Sequence, residues 1–173
     1  WTRALVEKLR AQGKCVDVVA KTHAAVQNFG LGAVTLDHYV RRHIRAGSLQ
    51  CEYLVVDEIT QVNSQLWADL NVAKMYGGKF ILCGDLAQFS AICDSWLGTP
   101  MPEDALGCSD MLRELVGSNR FRLTQNKRSD ADIFDFVTSL RPGEVDARDL
   151  REALTEARQK FPVSAQPADW TLT

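Results

Sequence analysis

The sequence predicts an α/β layered domain on a mainly parallel sheet, and three observations carry that expectation. Three short runs are strand-sized: 15–20 (CVDVVA), Tyr53–Asp57 (YLVVD) and 79–83 (KFILC). The last two are nearly continuous in apolar character, as strands are when helices cover both sheet faces. Segments of helical periodicity separate the runs, and such alternation pairs strands in parallel.

The elements follow in order. Residues 2–12 carry Leu5, Val6 and Leu9 at helical spacing, and Gly13 stops them. After the strand at 15–20, Thr22 is placed to cap a helix over 22–29, which Gly30 and Gly32 close. Residues 35–45 read as one helix, with Leu36, Tyr39, Val40 and His43 on one side and Arg41, Arg42 and Arg45 elsewhere. Beyond the Tyr53 strand, 63–75 is helical with Leu66, Leu70 and Ala73 inward. The strand at 79–83 should pair in parallel with the Tyr53 strand, which lies in the middle of the sheet. Residues 98–104 (GTPMPED) read as a loop, and Ser109 caps a helix over 110–116. Residues 121–124 read as a fourth strand. A helix over 130–140 ends before Pro142-Gly143, a charged helix covers 147–161, and 162–167 reads as a linker.

The chain has 173 residues, 46% hydrophobic and 24% charged, which is one ordinary globular domain's worth of core. A formal net charge of -2 excludes a whole-surface basic field, so any nucleic-acid contact must be a local stripe. No apolar run approaches the ~18 residues of a membrane helix, and no secretory signal pattern is present. The five cysteines form no C-x-x-C pair, which argues against zinc. Cys15, Cys51 and Cys83 lie in or beside apolar runs and read as buried, reduced thiols of an intracellular protein (nuclear, cytoplasmic or viral).

Ligands of open α/β sheets sit beyond the carboxyl ends of the strands, and three strand ends here carry unusual chemistry. Asp57 and Glu58 are adjacent carboxylates after an apolar strand. The first suits Mg²⁺ held largely through water, and the second suits polarising an attacking water. Gly84-Asp85-x-x-Gln88 follows KFILC. Gly84 reads as permitting a tight turn, and a Gln amide both donates and accepts, so Gln88 can sense a phosphate. Lys21-Thr22-His23 combines backbone N–H groups, a hydroxyl and positive charge at a helix start. After residues 121–124 comes Gln125-Asn126-Lys127-Arg128, in which Arg128 has the reach of an arginine finger.

Taken together these pieces resemble a superfamily 1 DNA helicase of the RecD-like branch. The segment 20–30 (AKTHAAVQNFG) looks like motif Ia, and 33–40 (AVTLDHYV) like the threonine-histidine segment that follows it. Residues 53–70 look like motif II (Walker B), 77–92 like motif III and 121–130 like motif IV. The collinear order across 20–141 is far more specific than any single motif. The resemblance implies a three-layer RecA-like P-loop NTPase domain that uses Mg²⁺ and ATP to move along single-stranded DNA and unwind duplex. Under it Asp57 binds Mg²⁺, Glu58 is the general base, Asp85 and Gln88 face the nucleotide, and Arg128 stabilises the transferring phosphoryl group. Lys21, Thr22, His23, Thr35 and His38 would lie along the bound strand. His38 is displaced by one residue from the family's position, Lys21 replaces a usual proline, and Phe89-Ser90 replace the prolines after the motif III glutamine.

No G-x-x-x-x-G-K-[ST] phosphate loop occurs in the sequence. The reading is therefore a fragment: a partial first motor domain over 1–141 without its phosphate-loop strand, a helix and linker over 142–167, and the start of a second motor domain over 168–173. Alone it is expected to be monomeric and inactive as an ATPase, and its parent to work with replication or repair proteins and not with membranes. Two alternatives stay open: a RecA-like module that binds nucleic acid or partners without hydrolysis, and the RNA helicase of a viral replicase, with RNA in place of DNA.

Overall fold

The computed structural model describes residues 1–102, 104–127, 129–140 and 150–161. The chain divides into two compact units, Trp1–Phe121 and Arg122–Thr173.

The first unit is a three-layer α/β sandwich of the RecA-like P-loop NTPase type. Its elements are α1 (Thr2–Ala11), β1 (Val16–Ala20), α2 (His23–Phe29), β2 (Val34–Thr35), α3 (Leu36–Tyr39), β3 (Tyr53–Asp57), α4 (Ser64–Met75) and β4 (Lys79–Leu82). A small hairpin follows, β5 (Ser95–Trp96) and β6 (Thr99–Pro100), and then α5 (Asp110–Leu115). The main sheet runs β2-β1-β3-β4 and every pair in it is parallel. The Tyr53 strand is interior, as its double-sided apolar character requires.

Period-two alternation assigns each strand residue to a face. Val16, Val18 and Val55 pack with Val6 of α1 and Phe29 of α2 on one side. Val19, Leu54, Val56 and Phe80 pack on the other with Leu36, Val40, Ile44, Leu66, Leu70 and Ala73. At the amino end of the sheet Glu52 accepts from Lys79 Nζ at 3.0 Å and Lys14 Nζ at 3.2 Å, and these bonds draw its carboxyl pKa below the ordinary value.

Several expectations are corrected. Residues 35–45 are not one α-helix: α3 gives way to a π-helical turn over Val40–Ile44, with Arg45 N–H bonded to Val40 O at 2.9 Å. The wide turn keeps Val40 and Ile44 buried while Arg45 reaches Asp69 of α4 at 2.8 Å. Residues 121–124 form no strand, and Phe121 and Leu123 are exposed. A strand needs a partner ladder, and among the described residues no strand pairs with the outer edge of β4. Part of the expected loop at 98–104 belongs to the hairpin, whose tip residues Leu97 and Gly98 both have positive φ, as a type I′ turn requires. Of the thiols expected to be buried, Cys51 is, Cys83 is partly so and Cys15 is exposed, because β1 starts one residue later.

The second unit contains α6 (Ala131–Ser139) and α7 (Leu150–Lys160). Asp130 caps α6 by accepting from Ile133 N–H at 2.9 Å, and Phe136 meets Phe161 edge-on at 5.5 Å. The linker at 162–167 and the segments at 142–149 and 168–173 lie outside the described residues. No helix among the described residues is long and apolar enough to cross a membrane.

Candidate functional site

Parallel pairing brings four strand ends to one edge. The register sets Ala20 beside both Thr35 and Asp57, and Val56 beside Leu82. Lys21-Thr22, Thr35, Asp57-Glu58 and Gly84-Asp85 therefore leave the sheet from its carboxyl edge.

The loops after β3 and β4 are tied together. Cys83 N–H donates to Val56 O at 2.8 Å, and Ile59 N–H donates back to Cys83 O at 3.1 Å. A Cβ on Gly84 would stand 2.7 Å from Ile59 Cγ1 and 3.0 Å from Ile59 N. Gly84 is thus needed for close backbone approach, and its φ is not positive, which corrects the tight-turn reading. The sequence pattern G-D after a strand could not separate these two reasons.

Glu58 stands in the left-handed region, with φ 52° and ψ 52°. For a side chain longer than Asn this costs about 1 kcal/mol or more, and such strain concentrates at functional positions. Asp57 is partly buried at the last position of β3. Burial pushes its carboxyl pKa up from the ordinary value, and the hydrogen bond with the Glu58 backbone offsets part of that. A cation beside Asp57 would remove this penalty. Burial likewise pushes the Cys83 thiol up, while a hydrogen bond with Thr2 acts the other way and sets the first turn of α1 against the end of β4.

Gln88 is exposed and lines a cavity of about 150 Å³ together with Thr60, Ser90, Asp104 and Cys108. Thr60 is buried, and its Oγ1 has no hydrogen-bond partner among the described residues. Sequence reasoning missed Thr60, because nothing in D-E-I-T distinguishes a buried hydroxyl from a helix start.

Along β1 and β2 the side chains are partly committed. Thr22 Oγ1 accepts from Ala25 N–H at 3.1 Å, which leaves its own O–H to donate. Lys21 Nζ pairs with Asp37 at 2.7 Å. Thr35 caps α3 with no side-chain cap bond, and His23 and His38 are exposed. Asp85 Oδ1 accepts from Ala87 N–H at 3.1 Å within its own turn. Arg128 lies outside the described residues.

The donor set fits Mg²⁺ in one way only. Among the described residues no group of three or more His, Cys, Asp or Glu gathers to enclose a metal. A single carboxylate, Asp57, matches an ion that keeps its waters and takes its other ligands from phosphate oxygens.

A family model described as an AAA domain matches residues 1–160. The crystal structure of Pif1 helicase from Candida albicans aligns with 95% of this chain at a TM-score of 0.63 and 21% identity, so the two share a fold. The chain spans 42% of that protein's length. Two further structures align over 52% of the chain at a TM-score of 0.41: Bacteroides Pif1 bound to ssDNA, 23% identical, and Pif1 helicases coordinating DNA unwinding at forked dsDNA, 20% identical. The chain covers 26% of the former and 28% of the latter. No curated protein matches the sequence.

Proposed function

The chain belongs to the AAA domain family, and from that premise we propose that it is part of the first motor domain of an ATP-dependent DNA helicase. The observation that carries the reading is the tied pair of loops after β3 and β4, which joins Asp57-Glu58 to Gly84–Gln88 at the carboxyl edge of the parallel sheet. The first turn of α1 beside Cys83 adds free backbone N–H groups at that edge.

Mg²⁺, when bound with ATP, supplies charge for the phosphate oxygens in flight. Asp57 would hold that ion. Glu58 accepts a proton from the attacking water, its left-handed backbone fixing where the carboxylate stands. Gln88, which lines the cavity at Thr60, reports the γ-phosphate to the nucleic-acid groove. Arg128 is assigned the developing phosphoryl charge, and Asp85 orients the turn that carries Gln88. Thr22, Thr35, His23 and His38 donate to the phosphates of the single strand, while Lys21 does so only by leaving Asp37. The 173 residues contain no phosphate-loop motif, so hydrolysis belongs to the longer protein. The reading further places that protein inside the cell among replication or repair factors.

The test is Glu58→Gln in the protein expressed from the natural gene with its flanking sequence. Expected is a loss of DNA-stimulated turnover of about 10²-fold or more with Mg-ATP binding retained. Turnover at the parental rate would refute the assignment. Competition between single-stranded DNA and RNA distinguishes the DNA motor from an RNA helicase.

A further inference from the structure

The stretch of α3 and the turn after it carries charge that the contacts proposed above leave unused. From His38 to Cys51 the sequence has three arginines, two histidines and no Asp or Glu, in a chain whose formal net charge is -2. Arg41 and Arg42 are exposed, and neither makes an ion pair or a side-chain hydrogen bond among the described residues. The cations beside them are committed. Arg45 donates to both carboxylate oxygens of Asp69, at 3.2 and 2.8 Å, and Lys21 is held by Asp37 at 2.7 Å. His43 packs its ring against Tyr39, with 4.7 Å between centroids.

The fold fixes where this pair stands. Thr35 ends β2 at the carboxyl edge, and α3 leaves from there. At 1.5 Å per residue Arg42 lies about 10 Å along from Thr35, the reach of roughly three stacked nucleotides. Leu36, Tyr39, Val40 and Ile44 face the core, each at most 2% exposed, so His38 and Arg42, four residues apart, share the outer side with Arg41. Both arginines belong to the π-helical turn Val40–Ile44, and such turns recur at functional positions.

The surroundings select the occupant. With Leu36, Tyr39, Val40 and Ile44 buried, the pair has beside it no large apolar anchor of the kind on which a protein interface centres. Two cations also fall short of the roughly four to eight that hold a polybasic segment on a membrane. Guanidiniums without an anchor suit phosphate, which they grip in bidentate geometry. We propose that Arg41 and Arg42 extend the nucleic-acid contact beyond Thr35 and His38, each neutralising one backbone phosphate of a single strand that runs from the carboxyl edge along α3. The proposal rests on the nucleic-acid reading of that edge.

The test uses the 173-residue chain and a fluorescein-labelled oligothymidylate of about 15 nucleotides, with anisotropy read from about 20 to 200 mM salt. Expected for the parent is weak binding with a log–log slope on the order of -1.4, from two neutralised phosphates. The double variant Arg41→Ala, Arg42→Ala should show a slope near zero and at least tenfold weaker binding at the lowest salt. Alanine is the best helix former and both side chains are exposed, so this variant keeps the fold, which its thermal midpoint checks. The control Lys8→Ala, Arg158→Ala removes the same charge from exposed positions elsewhere and should leave the slope unchanged. A parental slope in the Arg41, Arg42 variant, an equal fall in the control, displacement of the strand by oligoglutamate of equal charge, or no binding by the parent at the lowest salt would overturn the proposal. Parental turnover by Glu58→Gln refutes the motor and leaves this slope in place, so the two failures are distinct.

Discussion

Glu58 and Cys51 show how a single side chain is set by surroundings. Glu58 pays for a left-handed backbone that glycine adopts without cost. Glu58→Gly is therefore expected to stabilise the fold by up to about 1 kcal/mol in urea unfolding, while Glu58→Ala, which keeps the Cβ, brings no such gain. A gain from glycine together with lost turnover would mark the strain as functional. Cys51 is buried against Tyr39, whose hydroxyl lies 3.3 Å from its Sγ and 2.7 Å from Asp17 Oδ2, where it donates. Burial pushes the thiol up to about 11, and burial also raises the Tyr39 phenol. Both groups stay protonated in the folded chain after they have ionised in the unfolded one. The unfolded state then binds fewer protons, so stability falls as pH rises from the ordinary thiol value of about 8.5 toward the folded value. Cys51→Ser keeps a hydroxyl for Tyr39 and does not titrate there. Its unfolding free energy should decline less steeply than the parent's between those limits, and parallel curves would refute the assignment.

Elements here are fastened by a few polar contacts and one steric fit. The start of α4 is capped twice, by Asn63 Oδ1 accepting from Leu66 N–H at 3.1 Å and by Asp94 from across the hairpin. Asp94→Ala should cost on the order of 1 kcal/mol and speed amide exchange in the hairpin, whereas a helix-only effect would leave the hairpin amides unchanged. Gly84 lets the loops after β3 and β4 touch, and Gly84→Ala should cost roughly 1–3 kcal/mol because the added methyl meets backbone as well as a flexible side chain. Thermal unfolding reads both. Element ends were legible where local chemistry decides them: Thr22 and Ser109 are caps as their positions predict. The π-turn at Val40–Ile44 was not, since the sequence there holds no glycine or proline and its widening goes with packing against α4. The hairpin was missed because its tip is Leu-Gly, where Asn-Gly would have announced it.

At the scale of the molecule, the candidate site exists because a parallel sheet gathers separate strand ends along one edge. The 173-residue chain should show negligible ATP hydrolysis, since it has Asp57 and Glu58 but no phosphate-cradling motif. Robust Mg²⁺-dependent turnover abolished by Glu58→Gln would disprove this. Single-stranded DNA should bind weakly. With Lys21 held by Asp37, few cations face the β1 and β2 ends, and about two neutralised phosphates give a log–log salt slope on the order of -1.4. A much steeper slope would point to a basic surface elsewhere. In the longer protein Arg128→Ala should lower turnover by roughly 10³-fold or more with smaller change in ATP affinity, because a finger acts mainly in the transition state. Unchanged turnover would make Arg128 a surface charge.

The sequence by itself determined the layered α/β class, the three longer strands β1, β3 and β4, and the placement of Asp57-Glu58 and Gly84–Gln88 at strand ends. These follow from hydrophobic period and from turn and cap chemistry, which act over a few residues. Only the tertiary structure decided what depends on distant neighbours. Val34–Thr35 became a strand because Val19 and Ala20 lay ready to pair. Residues 121–124 stayed irregular for want of a partner ladder. Gly84 proved necessary because Ile59 crosses it, and Glu58 took a strained backbone where the loops after β3 and β4 are tied together. Pairing and contact across tens of residues carry no local code, so they become visible only once the chain has closed on itself.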